Sequence, residues 1–226
     1  MQFNTDLPGQ PEPIERPRLS DRRSFLREAV ETLLLIIGIY TLVNLATARF
    51  VVEGRSMYPS FLGEEYLIVS RLSYIVGDPD RGDVVVFHYP EDPSRDFIKR
   101  VIGLPGETVH IENGQIYINN VPISEPYIAE LCETSMCQNR TWTLGDDEFF
   151  VMGDNRNASQ DSRSFGAINR SHIIGRALVI YWPPSEWGII NHHDYGSPPA
   201  NVPPPSTSPT PMPAVTEPPM FDSTGG

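Results

Sequence analysis

Residues 32–48, TLLLIIGIYTLVNLATA, carry no charge, and their Leu, Ile and Val side chains would cover every face of a helix. With Ala29 and Val30 before the run and residues 50–52 after it, the segment is long enough to cross about 30 Å of hydrocarbon. The isolated charges at its ends can sit at the interface. A buried helix of a soluble domain would show a polar stripe, which is missing here, so a transmembrane helix is predicted over residues 26–52. The preceding 25 residues are polar and hold Pro8, Pro11, Pro13 and Pro17, spaced too closely for a helix; they read as a disordered arm.

Beyond the apolar run the pattern shortens. Residues 66–70, 83–89, 97–102, 108–112, 115–119, 148–152 and 173–182 are brief runs, several of them rich in Val, Ile, Phe and Tyr, separated by turn residues. Asn113-Gly114 between two of them is a strong two-residue hairpin signal. A mainly β, antiparallel domain over residues 53–196 follows. Residues 197–226 hold 10 of the 23 prolines, mixed with Ser, Thr and Gly, and read as a disordered tail.

The cations set an orientation. Arg16, Arg18, Arg22, Arg23 and Arg27 precede the apolar run, whereas only Arg49 and Arg55 follow it closely. Because Lys and Arg are retained on the cytoplasmic side, the N-terminus is expected inside and the β domain on the outer face of the cell membrane. Ala46-Thr47-Ala48 has the small-x-small form of a cleavage site, but the apolar run exceeds the 7–15 residues usual for a removable signal. An uncleaved single-pass anchor is expected. The same tripeptide also marks the junction after the run as a point where the anchor could be cut.

Composition narrows the chemistry. The 226-residue chain has 29 acidic and 17 basic side chains, for a net charge of -12. That argues against a nucleic-acid partner, which requires clustered cations. Two cysteines exclude a disulfide-dense scaffold and a four-cysteine zinc site. Cys132 and Cys137 lie in a polar insertion; in an exported domain they read as a disulfide, with two free thiols as the alternative. Of the 17 basic residues, 16 are arginine and one is lysine, Lys99.

No histidine has a context that points to catalysis. His88 and His110 alternate within strand-like runs, His172 begins one, and His192-His193 lies beside the tail. Gly54-Arg55-Ser56-Met57-Tyr58 lacks the second glycine of a nucleophile elbow. Lys99, by contrast, sits in the apolar run Phe97-Ile98-Lys99-Arg100-Val101-Ile102, where alternate side chains face a core. Arginine cannot lose its proton near neutral pH, but a buried lysine can, because burial lowers its pKa by up to about 3–5 units. A lone lysine could also be an accident of an arginine-rich composition. The nucleophile that such a base would serve is Ser56, a few residues beyond the apolar segment.

Four blocks then fall in a known order. Ser56-Met57-Tyr58-Pro59-Ser60, Arg81-Gly82-Asp83-Val84-Val85-Val86-Phe87, Lys99-Arg100-Val101-Ile102-Gly103-Leu104-Pro105-Gly106-Glu107, and Gly153-Asp154-Asn155-Arg156 with Ser159, Asp161, Ser162, Arg163 and Gly166 together resemble the bacterial type I signal peptidases. The resemblance spans residues 54–166. It implies a membrane-bound serine endopeptidase that removes signal peptides from exported preproteins after small-x-small motifs, without metal or organic cofactor. Ser56 would be the nucleophile and Lys99 the general base. Ser159 matches the hydroxyl that orients the lysine amine, Asp161 and Arg163 match a supporting ion pair, and Asp154 and Asn155 belong to the turn holding that wall. Two departures from the pattern stand out. Gly54 stands where many members carry a Ser or Thr that helps bind the oxyanion, and Asn157-Ala158 replaces the commoner Asp-Asn. Its expected partners are signal peptides and the lipid bilayer. Self-cleaving repressor-type proteases share the Ser/Lys dyad but carry a DNA-binding domain where this chain has its apolar run. A tethered β module without activity is the remaining alternative, and the intact Ser56, Lys99 and Ser159 speak against it.

Overall fold

The computed structural model describes residues 19–133 and 135–195. Most of the expected N-terminal arm, and the proline-rich tail, lie outside these residues. The first element is helix α1 (Leu19–Ala46), and strand β1 (Thr47–Val51) follows it directly. The apolar stretch of α1, Ser24–Ala46, has none of its most apolar window buried against the protein. A helix that presents Leu, Ile and Val outward all round is suited to a lipid surrounding, and this marks the chain as membrane-anchored.

The helix differs from the expected segment at both ends. It begins at Leu19, inside the stretch expected to be disordered, and it stops six residues short of position 52. The reason at the second end is long-range. β1 pairs antiparallel with β2 (Tyr66–Ser70), from Thr47 opposite Ser70 to Val51 opposite Tyr66. Phe50 also packs against a buried cluster. Sheet pairing and packing thus override the continuity of the apolar run, as strand formation commonly depends on neighbours more than on local preference.

The remaining elements are α2 (Ser73–Val76), β3 (Val84–Tyr89), β4 (Asp92–Gly103), β5 (Thr108–Glu112), β6 (Gln115–Ile118), β7 (Val121–Pro122), β8 (Arg140–Thr143), β9 (Glu148–Met152), α3 (Ser162–Phe165), β10 (Ile168–Asn169), β11 (Ile173–Trp182) and β12 (Gly188–Ile189). Two antiparallel sheets result. The larger has the order β1-β2-β11-β3-β4-β9-β10, with β12 also on β11; the smaller has the order β7-β6-β5-β8. This is the mainly β architecture that the alternating runs predict. Asn113 and Gly114 join β5 to β6 with φ of 50° and 81°, the left-handed pair that a two-residue hairpin turn requires.

Alternation along the central strands decides where the core sits. In β4, Val101 joins a cluster with Phe87, Phe149 and Val151, while its neighbour Ile102 points the other way, into one with Ile111, Ile116 and Phe150. A third cluster, including Val52, Met57, Phe61, Leu67 and Val86, lies under the segment after β1. Residues on both faces of β4 are therefore fixed by packing, and Lys99 lies on this strand.

Candidate active site

Ser56 occupies the turn that follows β1. Gly54 has φ +80°, a conformation that costs glycine little. Met57 and Phe61, 1% and 2% exposed, then tie the turn to the third cluster. The turn is gripped from the opposite wall by Asn155: its backbone N–H donates to the Ser56 carbonyl at 3.0 Å, and its Nδ2 donates to the Arg55 carbonyl at 3.0 Å.

Lys99 reaches the same point from β4, where it is 4% exposed and opposite Val85. Its Nζ lies 2.8 Å from Ser56 Oγ and donates to the Ile98 carbonyl at 2.8 Å. The Phe97 ring centroid is 5.2 Å away. Burial is the main influence on the amine and lowers its pKa to about 8, against the opposing pull of Asp161 and Asp154. A pKa near 8 leaves about one amine in ten neutral at pH 7, against about one in 10³ for an exposed lysine.

The wall behind the pair is built around Gly153. A β-carbon there would stand 2.3 Å from Ser159 Oγ and 2.4 Å from the Ser56 carbonyl oxygen, so only glycine lets the three come together. Asp161 accepts the Gly153 N–H at 3.1 Å, caps α3, and faces Arg163 through two bonds of 2.7 Å. Asp154 is clasped by Arg100 at 2.9 and 2.7 Å and accepts from Ser60 Oγ at 2.5 Å. Ser159 stands apart. Its Oγ is buried and has no hydrogen-bond partner among the described residues, while the hydrogen bonds of the lysine amine run to Ser56 and Ile98.

A cleft of about 590 Å³ opens over Ser56 and Lys99. Residues 50–54 form one side and residues 95–99 the other, with Leu67, Val86 and Gln160 completing it. Among the described residues β1 pairs only with β2, and β9 joins β4 only from Arg100 onward. Two strand edges therefore border the cleft.

Other sequence expectations resolve as follows. Cys132 and Cys137 are joined by a disulfide. His88 contacts Asp96, His110 contacts Thr141, and His192 contacts Asp83, none of them at Ser56. Ala48 and Arg49 lie within β1, paired with Val69 and Ile68, so self-clipping after Ala48 would first require stripping β1 from the sheet. Sequence reasoning gave Arg100 no role, although it follows Lys99 directly and projects to the opposite face onto Asp154. Asn157, a departure from the family pattern with no role expected of it, has one. It accepts from the Glu133 N–H at 2.8 Å and holds the disulfide loop to the wall.

Comparison with known proteins adds independent information. Residues 26–182 match the family described as signal peptidase, peptidase S26. Signal peptidase I of Leptolyngbya laminosa is 38% identical over 203 residues, covering 84% of this chain and 97% of that protein. The probable signal peptidase I-1 of Synechocystis sp. is 38% identical over 175 residues, covering 74% and 87%. Signal peptidase I S of Bacillus subtilis is 33% identical over 187 residues, covering 79% of this chain and all of that protein.

Proposed function

The chain belongs to the signal peptidase family, peptidase S26, and from that premise we propose that it removes signal peptides from exported preproteins as a membrane-anchored serine endopeptidase, with Ser56 as nucleophile and Lys99 as general base. The observation that carries this reading is the 2.8 Å approach of a buried lysine amine to Ser56 Oγ at the floor of an open cleft.

The neutral amine of Lys99 takes the hydroxyl proton as Ser56 Oγ attacks the scissile carbonyl. It returns a proton to the departing amine, leaving an acyl-enzyme that water hydrolyses with the lysine again acting as base. Desolvation makes this possible, because a hydrated lysine would stay protonated and inert. With Gly54 at the position where many relatives carry a hydroxyl, the developing oxyanion is met by the Ser56 backbone N–H, held in place by the grip of Asn155 on the turn. Asp161 with Arg163 and Asp154 with Arg100 keep the wall rigid. Ser159, whose buried hydroxyl has no partner among the described residues, is the group left to orient the lysine.

The substrate enters as an extended strand between the edges of β1 and β4, and the apolar lining reads small residues at alternate positions, which suits a small-x-small motif. The N-terminal arginines keep the leader cytoplasmic, and the peptidase domain, which begins at β1, lies on the outer face of the bilayer. The direct test is processing of a model preprotein in detergent by the wild type and by Ser56→Ala. Cleavage by the wild type alone is expected; equal cleavage by both would remove Ser56 from the mechanism.

A further inference from the structure

The chemistry proposed above gives no task to the Cys132–Cys137 disulfide, yet the bridge is built into the wall of the site. Cys132 and Cys137 are 7% and 1% exposed and belong to the apolar cluster beneath β5, β6 and β9. Both sulfurs also touch Arg163. Its Nη1 lies 3.0 Å from Cys132 Sγ and 3.1 Å from Cys137 Sγ, and donates to the Arg156 carbonyl at 2.8 Å. Nε and Nη2 of the same guanidinium meet the two oxygens of Asp161 at 2.7 Å each. A planar cation is thus held between a pair of sulfurs and a carboxylate, and that carboxylate is 0% exposed.

The arrangement bears on Lys99. Two buried acids act on its amine, Asp161 and Asp154. Each is matched by an arginine, Asp154 by Arg100 and Asp161 by Arg163. The other groups at the amine are uncharged: the Ser56 hydroxyl, the Ile98 carbonyl and the Phe97 ring. Arg100 is fixed by Asp154 and the Gly82 carbonyl, whereas Arg163 leans on the disulfide. Beside Arg163 lies a cleft of about 430 Å³, bordered by Met136, Arg140, Trp142 and Ser164, into which the guanidinium could swing. An arginine that left would expose Lys99 to an uncompensated anion, which favours the protonated amine.

We propose that the Cys132–Cys137 disulfide is a positioning element for the general base: it seats Arg163 on Asp161, so that the charge of Asp161 is spent on arginine and not on Lys99. The inference rests on the reading of Lys99 as the base. Opening the bridge leaves the nucleophile and the lysine in place and changes only how readily the amine gives up its proton.

The test is the pH dependence of kcat/KM for a model preprotein. It compares the full chain in detergent as wild type, as the Cys132→Ala/Cys137→Ala double variant, and as wild type with the bridge reduced by a phosphine. The acid limb should move to higher pH by up to about one unit in both altered forms. That is up to about a tenfold loss below the limb, with recovery toward the wild-type value at alkaline pH. An acid limb that stays in place overturns the proposal, whether activity is unchanged or falls equally at every pH. If the double variant does not fold, the reduced wild type carries the same measurement. Failure of the underlying reading looks different: Lys99→Arg would then be active, whereas failure of the disulfide inference alone leaves Lys99→Arg inactive.

Discussion

Lys99 Nζ stands 2.8 Å from Ser56 Oγ, although the two residues are 43 positions apart in the chain with strands β2 and β3 between them. This contact predicts that Ser56→Ala and Lys99→Ala each lower kcat for preprotein cleavage by at least about 10³, as expected when members of one proton-transfer unit are removed. Lys99→Arg should be equally inactive, because it keeps the charge and supplies no base. Circular dichroism should show all three folded. An active Arg variant would make the lysine structural.

The lowered pKa of Lys99 gives the pH profile a direction. A value of about 8 means that the base form fills as pH rises through that point. On the acid side kcat/KM should fall about tenfold per pH unit, with a single ionisation near pH 8 in the free enzyme. A limb near pH 6.5 would instead point to a histidine.

Gly153→Ala should inactivate more than it destabilises. The new methyl would press on Ser159 Oγ and on the Ser56 carbonyl, at 2.3 and 2.4 Å. Overpacking of this kind costs about 1–3 kcal/mol, measurable by denaturant unfolding. Displacement of the Ser56 turn should remove nearly all cleavage even where the variant is folded.

Ser159→Ala separates two roles. Its buried hydroxyl has no partner among the described residues, so deleting it should leave stability unchanged or slightly higher. If the hydroxyl turns to the lysine during the reaction, kcat/KM should nevertheless fall by about tenfold or more. Loss of stability with full activity would reverse this assignment.

Arg100→Met leaves Asp154 buried without its cation. Breaking a buried pair by removing one partner typically costs about 3–5 kcal/mol, and Arg100 and Asp154 are 3% and 1% exposed. Urea unfolding should show a loss of that order.

The features legible in the sequence were those with local causes. The runs at residues 66–70, 108–112, 148–152 and 173–182 coincide with β2, β5, β9 and β11, because alternating or dense β-branched residues and turn signals fix a strand wherever it packs. β1 was not legible. Thr47–Val51 prolongs an apolar run, and its strand character comes from β2, which lies 15 residues further along the chain. In the site, Ser56 and Lys99 could be named from block resemblance and from the scarcity of lysine. The clasp of Arg100 on Asp154 and the seat of Arg163 on the disulfide could not, because each depends on two distant segments meeting in three dimensions.

The junction of α1 with β1 has a mechanical consequence. Ala46 ends the helix and Thr47 begins the strand with no intervening residue, and the Arg71 N–H is bonded to the Ala46 carbonyl at 2.9 Å. At about 3.3 Å per residue, β1 is a spacer of about 17 Å from the helix end toward the Ser56 turn. The anchor is thus a stiff mount rather than a leash. It fixes the reach from the end of the apolar helix to Ser56, so for the mechanism proposed above the length of substrate chain that emerges counts as well as the residues flanking the scissile bond.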